Sequence, residues 1–275
     1  MNIGKSFPVP YRSQLQDKIE PGQTLTVQGH SFSGIGKFVI ALHGGEMEKG
    51  DIAMQMTFDF AEQKVIVNTC RKGAWDENPQ KESMHYKPTD KFDVRIRAHH
   101  DKFEILVDRR EFCDFEYRLP IMNITHFLID GPIVLNNIMW GGRFYPMPYE
   151  AGVSGGLGPG RKVYVSGKPT GDRFSINLLN DQGDIHFHHD VRFDDGEAVR
   201  NSCEGDKWQN EEKEGEFLFD KRRNFDVMIA NEAQAFQVSV DGAHACTFVH
   251  RMDPSDVKGL RVCGDVELWG VHVIK

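Results

Sequence analysis

Three histidines, an aspartate and an arginine fall within the eight residues HFHHDVRF, 186–193. If this stretch is a strand, successive side chains point to opposite faces. One face then carries His186, His188, Asp190 and Arg192. The other carries Phe187, His189, Val191 and Phe193, a core face with one intruding histidine. Polar groups at that spacing could ligate a metal, line a binding face or simply meet solvent. A metal would need His188 with His186 or Asp190, and a third ligand from elsewhere. Arg192 opposes this, because a fixed cation beside the ligands repels the ion. No glutamate follows His188 at four or five residues either, since Arg192 and Phe193 hold those positions. Neither a metal site nor a cofactor is expected.

The following residues change the weight of the alternatives. AVRNS (198–202) and KWQNEEK (207–213) supply Asn201, Trp208, Glu211 and Lys213 at short spacing. A cluster of His, Asp, Arg, Asn, Glu and Lys around one tryptophan suits a sugar. Hydroxyls need both donors and acceptors, and the C–H face of a pyranose packs flat on an aromatic ring. Two other readings stay open: a solvated strand face, and a hydrolase using Asp190 and Glu211. Glycoside hydrolysis needs two carboxylates flanking the bond, and here both are expected to be engaged by Arg192 and Lys213.

These residues sit in the second half of a chain that is written twice. FPVPYRSQLQDKIEPGQTLTVQG (7–29) lies over YPMPYEAGVSGGLGPGRKVYVSG (145–167) at a shift of 138. Trp75 then matches Trp208, Phe92-Asp93-Val94 matches Phe225-Asp226-Val227, Arg118 matches Arg251 and Gly131 matches Gly264, all at a shift of 133. Cys70 and Cys113 likewise map onto Cys203 and Cys246. The boundary is expected near Trp140-Gly-Gly-Arg143, giving domains 1–142 and 143–275, each of ordinary size. So short a linker predicts intramolecular contact between the two domains.

Each copy reads as short β-branched or aromatic runs with turn residues about every ten positions. TLTVQG, KFVIAL, KVIVNT, FDVRIRA, FEILVD, FLIDG and IVLNNIMW mark copy one. KVYVSG, FSINLL, DIHFHHDVRF, FDVMIA, FQVSVDG and VELWGVHVI mark copy two. No segment keeps an apolar helical period over three turns. The expected class is all-β, with two antiparallel β-sandwich domains in tandem.

The chain has 275 residues, 39% hydrophobic and 11% aromatic, enough to build real cores. Its 33 Lys plus Arg against 41 Asp plus Glu give a formal charge of −8, which argues against a general nucleic-acid surface. No run approaches ~18 consecutive apolar residues, so no membrane insertion is expected. MNIGKSFPVPYRSQ at the start lacks an apolar core, so it does not read as a secretory leader. Five widely spaced cysteines without a CxxC read as reduced thiols. The expected location is the cytoplasm, with export by a leaderless route left open.

Over both copies the sequence resembles the galectin family, whose sugar motif runs His-x-Asn-Pro-Arg, then Val-x-Asn, then Trp-x-x-Glu-x-Arg. Copy two reads His188-His189-Asp190-Val191-Arg192, Val199-Arg200-Asn201 and Trp208-Gln209-Asn210-Glu211-Glu212-Lys213. His188, Arg192, Asn201, Trp208 and Glu211 match; Asp190, Val191 and Lys213 depart from the pattern. The resemblance implies a concanavalin-like jelly-roll sandwich and a metal-independent, non-enzymatic lectin. It further implies that His188, Asp190 and Arg192 grip the axial 4-hydroxyl of galactose, that Asn201 and Glu211 hold the 6-hydroxyl, and that Trp208 stacks beneath the ring. Lys213 offers a point charge where the family has a planar fork, so contacts to the next sugar should weaken. Asp190, when ionised, can only accept, whereas the family's asparagine could also donate.

Copy one keeps only Asn68 and Trp75 of that set. Gln55 replaces the histidine, Thr57 the asparagine, Asp59 the arginine, Asn78 the glutamate and Gln80 the last arginine. This half is expected either to be inert toward galactose or to take a different glycan. The leading expectation is a β-galactoside-binding lectin acting mainly through residues 143–275, its partners the galactose-containing glycans of glycoproteins or glycolipids. The competing class is a protein-interaction or structural module on a lectin fold.

Overall fold

A computed structural model of the chain describes residues 6–45 and 50–274. The chain divides into two compact units, Met1–Arg143 and Phe144–Lys275. Both are built from antiparallel strands, and the described helical residues are the single turns Ile121–Asn123 and Pro254–Asp256.

In the first unit one sheet runs Tyr11–Gln14, Ile124–Asp130, Lys37–Gly44, Ile52–Asp59, Lys64–Arg71 and Ala74–Trp75, with Gln80–Ser83 also paired to Lys64–Arg71. The facing sheet runs Arg110–Glu116, Lys102–Val107, Lys91–Ala98, Thr24–Ser31 and Ile133–Gly141. Alternation decides which side chains meet between them. Phe38, Ile40 and Leu42 turn inward from one sheet and Leu25, Val27, Val94 and Ile96 from the other, all buried in one cluster. Phe38 stacks on Phe58 at 4.2 Å and on Phe92 at 5.0 Å, tying the layers together. Each such ring, fully buried, contributes about 1.5–3 kcal/mol.

The second unit repeats the plan with one difference. Lys162–Leu179 and Gly259–Ile274 are single long strands that pass from one layer into the other. Residues 162–167 pair with Phe225–Asn231, whereas residues 173–179 pair with Ile185–Arg192. The first unit has two separate strands, Thr24–Ser31 and Lys37–Gly44, at the corresponding place. Register breaks between Pro169 and Phe174, where a bulge bends the strand between layers. Phe174 stacks on Phe225 at 4.9 Å, repeating the contact of Phe38 with Phe92.

Several strands lie outside the runs expected from sequence: Tyr11–Gln14, Gln80–Ser83, Arg110–Glu116, Tyr149–Gly152, Glu197–Glu204 and Ala243–Val249. Three of them, Tyr11–Gln14, Gln80–Ser83 and Tyr149–Gly152, alternate exposed with half-buried residues and carry too few apolar groups to announce themselves. All five cysteines are free thiols.

Candidate sugar-binding site

Ile185–Arg192 forms a strand whose alternation is the one its sequence predicts. Phe187, His189 and Val191 are fully buried on the core side. His188, Asp190 and Arg192 share the outer face of the sheet, where the neighbouring strand sets Asn177 opposite His188, Ser175 opposite Asp190 and Arg173 opposite Arg192. On the other flank Asn201 pairs with His188 and Glu197 with Arg192. Three adjacent strands therefore bring one row of polar groups together.

Asp190 lies at the centre and is almost wholly buried. Arg173 donates Nε to its Oδ1 at 2.9 Å and Nη2 to its Oδ2 at 2.7 Å, a bidentate pair. Arg192 donates Nε to the same Oδ2 at 2.7 Å and reaches Glu211 Oε1 through Nη2 at 3.3 Å. Burial alone would push the Asp190 carboxyl up, but hydrogen bonds from the two guanidiniums outweigh it and hold the group below its ordinary value. It is therefore a carboxylate, able only to accept. The ion chain continues outward, with Lys213 Nζ 3.0 Å from Glu197 and 3.9 Å from Glu211.

His188 is set by a second network. Asn177 donates its amide N–H to Ser175 Oγ at 3.2 Å and to the Arg261 carbonyl at 3.3 Å, which orients its Oδ1 toward His188. His188 Nδ1 then donates to that Oδ1 at 2.6 Å. Burial lowers the His188 pKa, so the ring is neutral and its Nε2 carries a lone pair. That nitrogen lies 4.0 Å from Asp190 Oδ2. An acceptor (His188 Nε2) thus sits beside a donor fork (Arg192), the pairing that one sugar hydroxyl can satisfy from both sides.

Trp208, 52% exposed, stands beside this row, its ring 4.8 Å from that of His188. It is held by a two-residue strand on Glu197–Glu204. Asn201 secures the stretch that follows: its Nδ2 donates to the Gln209 carbonyl at 3.1 Å, and its Oδ1 accepts from Ser202 N at 2.8 Å and Arg251 Nη1 at 3.1 Å. Arg251 also binds Glu212 at 2.7 Å and lies 4.6 Å over the Phe248 ring. His186, expected on the same face, is buried away from this row, where the register shifts against both neighbouring strands. The structure thus brings together His188, Asp190, Arg192, Asn201, Trp208, Glu211 and Lys213. Two arginines escaped the sequence reading of the site. Arg251 was legible as a repeated residue, and Arg173 stands one position before the run FSINLL.

The first domain repeats the frame with other groups. Gln55 pairs with Asn68 across the strands, and Gln55 Nε2 donates to Thr57 Oγ1 at 3.2 Å. Asn68 donates to the Asp76 carbonyl at 3.0 Å and accepts from Arg118 Nη1 at 3.1 Å, as Asn201 does with Arg251. Arg118 also donates to the Asn78 carbonyl at 2.9 Å. Trp75 is 47% exposed. Asp59, in the arginine position, is buried; it takes Lys37 Nζ at 2.9 Å and the backbone N–H groups of Ala61 and Glu62 at 3.1 Å. Its Oδ1 serves the turn after its strand, and its Oδ2 meets Lys37. Gln80 donates to Glu82 at 3.1 Å.

Among the described residues no three His, Cys, Asp or Glu side chains are grouped to hold a metal ion. The comparisons with known proteins agree with one another. A family model described as galactoside-binding lectin matches residues 10–140 and 148–273. A 32 kDa beta-galactoside-binding lectin of Caenorhabditis elegans is 45% identical over 273 residues, covering 98% of each chain. Its namesake in Haemonchus contortus is 44% identical over 270 residues, covering 97% of this chain and 95% of that one. Human galectin-4 is 26% identical over 307 aligned positions, covering 96% and 95%. Two lectin repeats, related over their whole length to proteins with the same arrangement, make this chain a member of the galactoside-binding lectin family, a galectin of the tandem-repeat kind.

Proposed function

We propose that β-galactosides bind chiefly through the second domain, at His188, Asp190, Arg192, Asn201, Trp208 and Glu211, with Lys213 at the rim. The first domain is then inert toward galactose by this route or selects another glycan. The observation that carries the reading is that His188 Nε2 and the Arg192 guanidinium both approach Asp190 Oδ2, at 4.0 and 2.7 Å, beside an exposed Trp208. An axial hydroxyl meets acceptor and donor there while the apolar sugar face covers the indole. The wrong epimer would leave buried partners unpaired, which is how such a site discriminates. In the first domain Gln55 and Asp59 stand in those two places, and Asp59 is already committed to Lys37 and its own turn.

Retention on immobilised lactose tests this. The wild type should be retained, and Trp208→Ala and Arg192→Ala should each flow through while Trp75→Ala is retained. Flow-through of the wild type, or retention of both second-domain variants, refutes it. One observation favours the competing class of interaction module. The acidic and basic groups of the face already satisfy one another, from Arg173 through Asp190, Arg192 and Glu211 to Lys213. No saturable heat with galactosides at millimolar concentration would support that reading.

A further inference from the structure

We propose that Arg173 is a positioning residue of the second domain's sugar site, a clamp that orients the Asp190 carboxylate so that Arg192 is held beside His188. This rests on the site assignment above and adds to it a residue outside the sugar motif. Three observations carry it.

The first is geometric. Asp190 is 1% exposed, and both of its oxygens take a hydrogen bond from Arg173, Nε to Oδ1 and Nη2 to Oδ2. A planar fork on a carboxylate fixes its plane as well as its position. Oδ2 also receives Arg192 Nε at 2.7 Å, so the orientation of Arg192 depends on a plane that Arg173 sets. Remove Arg173 and the carboxylate keeps one ionic partner on its own strand and loses the cross-strand one.

The second is the location of Arg173 in the frame. It sits where Lys162–Leu179 re-enters the site-bearing layer, directly opposite Arg192. Gly264, at φ +96°, crosses this point so closely that a Cβ would lie 2.5 Å from the Arg173 carbonyl. The backbone bearing the clamp is therefore fixed by its neighbour. The Arg173 side chain is itself 61% exposed, and the partner it meets is not.

The third comes from the other copy. Lys37 occupies the corresponding position, opposite Asp59, and it too draws in a buried carboxylate, at 2.9 Å. A cation at this position is common to both domains, while the carboxylate it holds has moved from the row of Asp190 to the row of Arg192. Lysine cannot clamp two oxygens in one plane. Only the second domain couples the cation to an arginine beside a histidine.

The charged or titratable groups facing Asp190 are Arg173 from the neighbouring strand and His188 and Arg192 from its own; Glu211, Lys213 and Glu197 lie beyond Arg192. The test uses the full-length protein as wild type, Arg173→Gln, Arg173→Lys, Asp190→Asn and the double variant Arg173→Gln/Asp190→Asn. Lactose affinity is measured by calorimetry, and Asp190 ionisation by carboxyl ¹³C NMR without sugar. Arg173→Gln should weaken lactose binding by about tenfold, with a partial return in Arg173→Lys. In the Asp190→Asn background the same substitution should change affinity little, because the clamp has lost its partner. The Asp190 titration should move to higher pH in Arg173→Gln. Unchanged affinity, an equal loss in the Asp190→Asn background, or an unmoved Asp190 titration each overturns the clamp. If the wild type binds no galactoside, the site assignment falls, and the NMR titration still decides whether Arg173 governs Asp190.

Discussion

Replacing His189 with methionine should make the second domain more resistant to acid, by an amount that grows as pH falls. His189 is fully buried, and neither ring nitrogen has a hydrogen-bond partner. It faces Arg200 across the strands, and both line a cavity of about 160 Å³ with Phe217, Phe219 and Cys246. In the first domain the same two positions hold Met56 and Val67, also paired and wholly apolar. Burial first, and the Arg200 charge second, push the His189 pKa down from 6.5 to about 3. A histidine whose folded pKa lies below its unfolded value binds its proton more weakly when folded. Stability is therefore full above pH 6.5 and falls as pH drops toward 3. At 1.36 kcal/mol per unit, the fall from this residue alone is about 2 kcal/mol by pH 5. His189→Met deletes that dependence, and at neutral pH it also removes two unsatisfied polar atoms at the cost of repacking. The assay is urea unfolding of wild type and variant at pH 7, 6 and 5, reading the stability difference rather than either curve alone. A difference that does not change with pH would show that the imidazole titrates near its ordinary value, and the burial argument would fail. Because His189 lies between His188 and Asp190, the variant also separates acid loss of fold from acid loss of sugar binding.

Three further outcomes follow from the same frame. His43 and His126 stack at 5.2 Å in the first domain, and burial together with the neighbouring His126 lowers His43 to about 4; the second domain has Leu179 in the place of His43. His43→Leu should remove a stability loss of about 3 kcal/mol that otherwise accrues between pH 6.5 and 4, read by thermal unfolding across that range. Gly264→Ala should lower the second domain's melting temperature and weaken lactose binding together, since the added Cβ meets the Arg173 carbonyl at 2.5 Å. Asp59→Ala should destabilise the first domain by about 1–2 kcal/mol in urea titration, through loss of the two turn N–H bonds and the Lys37 pair, while leaving lactose retention unchanged.

What could be read from sequence, and what could not, divides along a physical line. Alternation within one strand is a local property, so residues 186–193 announced both a polar face and the intrusion of His189 into the core. The repeat announces more than it explains: the match of Gly131 with Gly264 has its reason in three dimensions, where each lies against a neighbouring backbone, at φ +133° and +96°. Register between strands is not local. Nothing in residues 173–179 says that Arg173 will face Arg192 rather than Asp190, because that depends on the turn at 180–184 and on the register shift between Leu178 and Leu179. The two long strands of the second domain escaped for a related reason. The interruption at 169–173 resembles a loop in composition, and only the pairing of Gly259–Ile274 along its whole length carries the strand through it.

Charge placement separates the two domains more deeply than a count of lost residues suggests. Both keep a tryptophan on a two-residue strand, and both keep an asparagine locked by an arginine that rests on a phenylalanine. These features hold the end of the sheet in shape whether or not a sugar comes. The difference lies in one row. In the second domain a buried carboxylate stands between two arginines, and one of them, Arg192, reaches on to Glu211. In the first, the carboxylate has moved into the arginine's own place, where Lys37 and two backbone N–H groups consume it. Restoring an arginine at position 59 would therefore strip the turn of its cap and set a second cation beside Lys37. By the proposed reading, a galactoside site in the first domain needs, besides an arginine at 59, a hydrogen-bonding partner for it at position 57, a histidine at 55 and a new cap after 59. A single Asp59→Arg substitution that conferred lactose binding on a Trp208→Ala background would show that the row of charges does not decide the matter.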